Sequence, residues 1–460
     1  MDSRIPARAE ETVAVEFTSG NRSAWEQPDL WRSVCAELTI QATDSNTSKL
    51  VTAPHATEEA VALGKVRRRR LIERGYALVD EPVATSLVPV LRQGIETLHK
   101  LNLPASFILL FDETWELASM SRSVLKVSTL DKNEFQFDIL AWYIDSGGFS
   151  PHRDRQPEDA PSSFEAEEAK FVTQWIALTD ATPENSCLYV IPKGSDPGYT
   201  EGDTEEEDPL QKALPNKQAF QQIRALPRQQ GQSVLFTHRI IHWGSERDPT
   251  TSEPPRIAIS FVCSDPSFER LYVDPSYFTS EKLPPFHIRM LLVCAQLLIY
   301  HQRFDLSKEC IKACYEYCKD HEEELEESYR QKVFVEFVKA MSETPQAATK
   351  KSASGKSALN ELSSNAVAKE SSAESEENEE EEAMMQEMLD AETGGYGDFA
   401  DDYDEIANEG GADDILGDDG TSDYDEDDDD NEDGAGLFGK RLAPNEEETT
   451  KGKRVKPSSF

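Results

Sequence analysis

The sequence predicts a mainly β domain with flanking helices, followed by a helical extension and a long disordered acidic tail. Three observations carry that reading. Between about Gln136 and Cys263 the chain is a series of short runs rich in aromatic and β-branched residues. These runs, "FDILAWYI", "FVTQWIALT", "CLYVIP", "QSVLFTH" and "RIAISFVC", are separated by Gly, Pro, Asp and Ser clusters. Short strands with long irregular links suggest an antiparallel sandwich or barrel, not a parallel sheet. From Phe286 to about Met341, apolar residues return at helical spacing. Beyond Ser342 large apolar residues are few, and 34 of the 88 acidic residues follow Lys350 against nine basic ones. Such a segment cannot bury enough surface to offset its ordering entropy.

Taken in chain order, residues 1–55 are polar with no sustained period and read as a weakly ordered lead. The main domain is expected over 56–285. It opens with "TEEAVALGKVRRRRLIERGYALVDE", a helix and then a strand, with acidic residues near its start, basic ones near its end and Gly75 as the stop signal. Val83–Leu101 reads as a second helix. The link Pro197–Pro215 is a surface insertion by composition. Residues 286–341 form the helical extension, and 342–460 the acidic tail with a basic cluster near its end.

The formal charge of -41 works against direct nucleic-acid binding and favours basic protein partners for the tail. Seven cysteines, odd in number and without a framework, point to a reducing compartment. The opening "MDSRIPARAEETVAVEF" has no apolar h-region. The longest apolar stretch, Met290–Tyr300, is about half of a membrane span. A soluble intracellular protein is expected, cytoplasmic or nuclear. The segment "KRLAPNEEETTKGKRVK" (440–456) has the two basic clusters of a bipartite nuclear localisation signal.

The chemistry centres on "FSPHRDRQ". His152 and Asp154 lie two residues apart after an apolar run, and side-chain direction in an extended segment repeats every two residues. Two histidines and one carboxylate suit Fe(II), because three protein ligands on one face leave positions open for other ligands. The third ligand has to come from a distant strand. His238 and His242, in "VLFTHRIIHWGSERD", both follow such a strand, and their four-residue separation leaves strand parity unable to choose between them.

The surrounding text resembles the phytanoyl-CoA dioxygenase family. "WIALTDATPENSCLYVIPKGSDPG" is similar to its pattern W-x-A-L-D-D-x-T-x-E-N-G-C-L-x-V-I-P-G-S-H. "GFSPHRD" resembles its HxD segment, and "QSVLFTHRIIHWGSERDPTTSEPPRIAISF" its distal histidine and following arginine. The resemblance runs from about Gly75 to Asp265. It implies a double-stranded β-helix (a jelly roll) using Fe(II) and the cosubstrate 2-oxoglutarate, with ascorbate as accessory reductant. It makes His152, Asp154 and His242 the metal ligands and catalytic centre, with the "GS" context favouring His242 over His238. Arg256 then pairs with the far carboxylate of 2-oxoglutarate, as a planar fork should, and Ser245 touches the same group.

Departures from the pattern are the inserted Lys193, Asp196 in place of histidine, Trp243 between His242 and Gly244, and a long interval before Arg256. None removes a ligand. Related halogenases replace the carboxylate, so Asp154 favours hydroxylation of a small-molecule or lipid-like substrate. The alternative is an interaction or chaperone protein acting through its acidic tail on a catalytically inactive oxygenase-like scaffold.

Overall fold

Two antiparallel sheets face each other in the computed structural model, which describes residues 17–41, 57–83, 86–154, 164–165, 167–203 and 208–342. The larger sheet runs β1 (Tyr76–Val79), β9 (Ser233–Thr237), β6 (Phe171–Ala177), β11 (Arg256–Ser264), β2 (Glu134–Ile144). The smaller runs β3 (Phe149–His152), β10 (His242–Gly244), β7 (Leu188–Val190), β8 (Arg224–Leu226). A short hairpin, β4 (Phe164–Glu165) with β5 (Glu168–Ala169), stands apart from both. Strands adjacent in each main sheet are distant in sequence, and the expected jelly roll is what forms.

Alternation along the strands separates two interiors. On β2, Phe135, Phe137, Ile139 and Ala141 enter a core shared with helices, while Asp138, Leu140, Trp142 and Ile144 line a cavity on the other face. On β11, Ile257, Ile259, Phe261 and Cys263 join the helical core. Ala258 instead packs between the sheets with Val234, Phe236, Leu188 and Val190. All nine residues of β11 are buried, as a central strand covered on both faces requires.

Helices cover the outer face of the larger sheet. They are α3 (Glu58–Arg74), α4 (Leu87–Lys100) and α5 (Asp112–Ser128); α1 (Arg22–Trp25) and α2 (Pro28–Val34) join the same helical core, and the short α6 (Gly198–Glu201) and α7 (Pro209–Ala213) lie near the smaller sheet. The extension supplies α8 (Phe286–Ile299), α9 (Lys308–Asp320) and α10 (Glu327–Ser342). The boundaries of α3 follow its signals. Thr57 Oγ1 accepts from the Ala60 N–H at 3.1 Å, and Gly75 takes φ 79° in the left-handed region that glycine enters without strain. Its basic run is taken up by ion pairs, Arg67 with Glu81, Arg68 with Glu168 and Arg69 with Glu73. α8 is apolar nearly all round because neighbours surround it. Cys314 and Cys318 of α9 are fully buried in the same core, as small apolar side chains.

Two expectations need correction. Residues 17–41 are not an irregular lead. Trp25 and Trp31 are fully buried, the Trp31 ring stacks on Phe107 at 4.7 Å, and its Nε1 donates to the Trp25 carbonyl at 2.7 Å. The aromatic anchors are too few for a visible period, but each buries a large area. Nor is 197–215 merely superficial, since Tyr199, Asp203, Ala213 and Leu214 are buried. The acidic tail past Ser342 and the basic cluster at 440–456 lie outside the described residues. Among the described residues, no helix is long and apolar enough to cross a membrane. Trp31→Ala is expected to destabilise the fold by about 3–5 kcal/mol, read as a lowered denaturant midpoint with an unchanged slope.

Candidate metal centre

Pairing between β3 and β10 sets His152 and His242 directly opposite each other. Asp154 follows on the same side of the chain, its N–H donating to the His238 carbonyl at 3.0 Å. Its Oδ1 lies 3.7 Å from His152 Nε2 and 3.5 Å from His242 Nε2. Among the described residues these three form the one group of such side chains with donor atoms all within 4.8 Å. The cysteines of α9 form no such group.

Backbone carbonyls orient both rings. His152 Nδ1 is 2.8 Å from the Ser150 carbonyl, and His242 Nδ1 is 3.2 Å from that of Ile240. A carbonyl only accepts, so each Nδ1 carries the proton and each Nε2 turns its lone pair toward Asp154. Burial pushes the His242 pKa down to about 4 against the pull of Asp154, which keeps the ring neutral, the form a metal requires. Two imidazoles and a carboxylate on one side of a cavity fit a divalent ion that keeps open positions.

Arg256, at the start of β11, is fully buried. Its guanidinium lies 5.5 Å from the Phe149 ring and 5.7 Å from Trp175, and donates to the Ser186 carbonyl at 2.6 Å. Its Nε has no hydrogen-bond partner, and no carboxylate among the described residues pairs with it. Burial brings its pKa down to about 10, so the group is still a cation at neutral pH. A buried cation without a counter-ion is costly, and an anion brought beside it would offset that cost. The Ser245 hydroxyl is also buried, with the Tyr189 phenol as its polar neighbour. Gly244 makes room for this end of the site, since a Cβ there would meet Phe149 at 2.8 Å and Arg256 Nη1 at 3.0 Å.

A cavity of about 1190 Å³ opens from the triad. The sheets supply Leu140, Trp142, Thr173 and Val262 to its wall, and the extension supplies Tyr300 and Arg303. His238 is elsewhere. It is fully buried, its Nδ1 is 3.1 Å from the Phe171 carbonyl, and its ring stacks on Phe164.

Residues 96–256 match the family model described as Phytanoyl-CoA dioxygenase (PhyH). The resemblance read from the motifs therefore holds over about a third of the chain, including the triad and Arg256 but none of α8, α9 or α10. No curated protein matches the chain. Among solved structures, the chain is similar to the epimerase SnoN in complex with Fe3+, alpha ketoglutarate and nogalamycin RO. That likeness has 20% identity and a TM-score of 0.35, covering 44% of this chain and 84% of that one. It is also similar to EctD from S. alaskensis with 2-oxoglutarate and 5-hydroxyectoine, at 16% identity and a TM-score of 0.32, covering 48% and 82%. Similarity this low carries no inference about chemistry. The PhyH match and the His-Asp-His donor set together support a dioxygenase type of function.

Two departures from the PhyH pattern acquire a physical meaning. Asp196, where histidine was expected, is buried and paired with Arg153. Its pairing with Arg153, and that of Asp203, cannot be read from the sequence because both carboxylates sit in segments of ordinary surface composition. Ser186 stands where the pattern has glycine and takes φ 79°, a conformation that side chains strain to adopt. Its carbonyl is the one that holds Arg256, and its own hydroxyl is buried without a partner. Ser186→Gly is expected to raise stability by roughly 0.5–1 kcal/mol, the relieved strain less the entropy of the freer chain. A higher melting temperature with unchanged ligand affinity would be the sign of it.

Proposed function

We propose that the protein is an Fe(II)- and 2-oxoglutarate-dependent dioxygenase of the hydroxylase type, acting on a small organic or lipid-like substrate. The observation that carries this reading is the combination of the His152–Asp154–His242 donor set with an unpaired buried arginine. Phe149 links the two. Its ring centroid lies 5.5 Å from His152, 6.1 Å from His242 and 5.5 Å from the Arg256 guanidinium. A keto acid that reaches from the metal to Arg256 therefore runs along that ring.

Once bound, the iron and 2-oxoglutarate supply oxidative decarboxylation and the activation of O2. The chain supplies position and charge. Arg256 neutralises the far carboxylate with a bidentate-capable fork, and the nearby Ser245 hydroxyl can donate to the same group. His152 and His242 would hold the ion as imidazole ligands, with Asp154 and the keto acid opposing its charge. Trp175, Phe236 and Phe149 surround this end of the cavity with apolar surface, which strengthens each of these electrostatic contacts by keeping water out. Asp154 occupies the position that a halide would need, so the chemistry favoured is hydroxylation. The substrate enters past Trp142 and the extension, whose side chains give it both apolar and charged surface to meet.

Anaerobic titration of the full chain with Fe(II) and 2-oxoglutarate, followed by the visible absorption of the chelated keto acid, tests the reading. Wild type and His238→Ala should develop the band, and His242→Ala should not. Absence of the band in folded wild type would refute the assignment. A separate expectation concerns Arg256→Lys, which keeps the charge and loses the fork. Its affinity for 2-oxoglutarate should fall by about 10–100-fold while its affinity for the metal alone stays within about twofold.

A further inference from the structure

Arg153 stands between two members of the donor set and points away from them, as alternation demands. It is 7% exposed, yet all five of its N–H groups are used. Nη1 and Nη2 donate to Asp196 Oδ2 and Oδ1 at 2.6 and 2.9 Å. Nε and the second Nη2 hydrogen reach Asp203, the latter at 3.1 Å to Oδ1. The remaining Nη1 hydrogen goes to the carbonyl of Arg239. Both carboxylates are as buried as the guanidinium, at 5% exposure each. Burial opposes the charge on Arg153, but the hydrogen bonds to Asp196 and Asp203 outweigh it and raise its pKa above the usual arginine value.

The contacts join four separate pieces of chain. Arg153 lies at the end of β3, Asp196 follows β7, Asp203 follows α6, and Arg239 belongs to the turn that leads into His242. The Asp154 N–H adds a second tie to that turn through the His238 carbonyl. Close packing here leaves no slack. A Cβ at Gly198 would lie 2.1 Å from Asp203 Oδ1 and 2.6 Å from Arg153 Nη2.

We propose that Arg153 is a positioning residue for the metal centre, a clamp that fixes the His152–Asp154 segment relative to the turn carrying His242. The proposal rests on the reading of the triad as a metal site. Three donors share one ion only when they are held within about 0.5 Å of the required geometry. Two of them come from β3 and its end and one from β10, so a link between those strands' ends governs their convergence. A planar fork bonded to two carboxylates and a carbonyl fixes both distance and direction. A lysine at this position would keep the charge but offer three donors on a mobile stem.

The test uses Co(II) alone as the probe, with the full-length protein and its Arg153→Lys and Asp203→Asn variants. Melting temperature, Co(II) affinity and the visible d–d absorption are measured together. The expected result is a folded variant whose Co(II) affinity falls by about 10–100-fold, the usual consequence of removing a support behind a ligand, with a changed band shape. A lowered melting temperature with wild-type affinity and spectrum would overturn the clamp and leave Arg153 a structural residue only. Failure of both variants to fold would overturn it too, by making the cluster a determinant of the fold. Absence of Co(II) binding by wild type would instead remove the metal reading on which the clamp depends.

Discussion

The register between β3 and β10 is the constraint on which the site depends. Each strand is short, and a slip of one residue would turn His242 outward and bring Ile241 or Trp243 to face Asp154. The register is held from both sides. On the cavity side Gly148 crosses so close to β10 that a Cβ would lie 2.0 Å from the Gly244 carbonyl oxygen. On the outer side Ile241 packs with Ile191, Ala213 and Leu214, and the Trp243 ring stacks on Tyr189 at 5.7 Å. The link after Pro197 thus covers the back of the strand that carries the distal histidine. Its apolar residues pin β10 from outside while Asp203 holds Arg153.

Several features near the site are unfavourable on their own. Arg256 is a buried charge without a counter-ion, Ser186 sits in a left-handed conformation, and two imidazoles crowd one carboxylate. Each lowers stability by an amount comparable to a lost buried hydrogen bond or a strained residue. They persist because the rest of the chain over-determines them. β11 is buried on both faces, and its outer face belongs to a core that extends from Phe17 to Met341. Ligands that satisfy Arg256 and the triad would bind the folded state alone and stabilise it in proportion to their affinity.

Much of this was legible in the sequence. The strands of 136–263, the helix after Thr57 and the helical return at Phe286 each carried a period or a cap that physical chemistry requires. The choice of His242 over His238 came from neighbouring residues, because the four-residue interval gives both the same parity. Geometry separates them by a turn. The backbone between Thr237 and His242 leaves β9 and enters β10, so parity does not carry across. α5 was missed because Thr114, Ser119, Ser121 and Ser128 are buried beside its apolar residues and blur the stripe. The burial of the N-terminal tryptophans, and of Asp196 and Asp203, leaves no local signal at all. Isolated residues in polar surroundings are buried by long-range contacts that no local period reports.

The cavity divides along a boundary in the sequence. The triad that lines it, and Arg256 nearby, lie within the PhyH match. Tyr300, Arg303 and Phe304 line it from the extension, which lies outside that match. Trp142 is where the two meet. It points into the cavity from β2, while Phe304 stacks on its ring at 6.1 Å and the Arg303 guanidinium lies 5.6 Å away. Asp138, four residues earlier on the same face of β2, accepts from Gln296 and Tyr300 of the extension at 3.4 Å each. On the proposed reading, the chemistry rests on residues within 96–256, while a substrate held beside Trp142 would also contact the extension. A match confined to 96–256 therefore supports a type of reaction and leaves substrate choice to residues outside it.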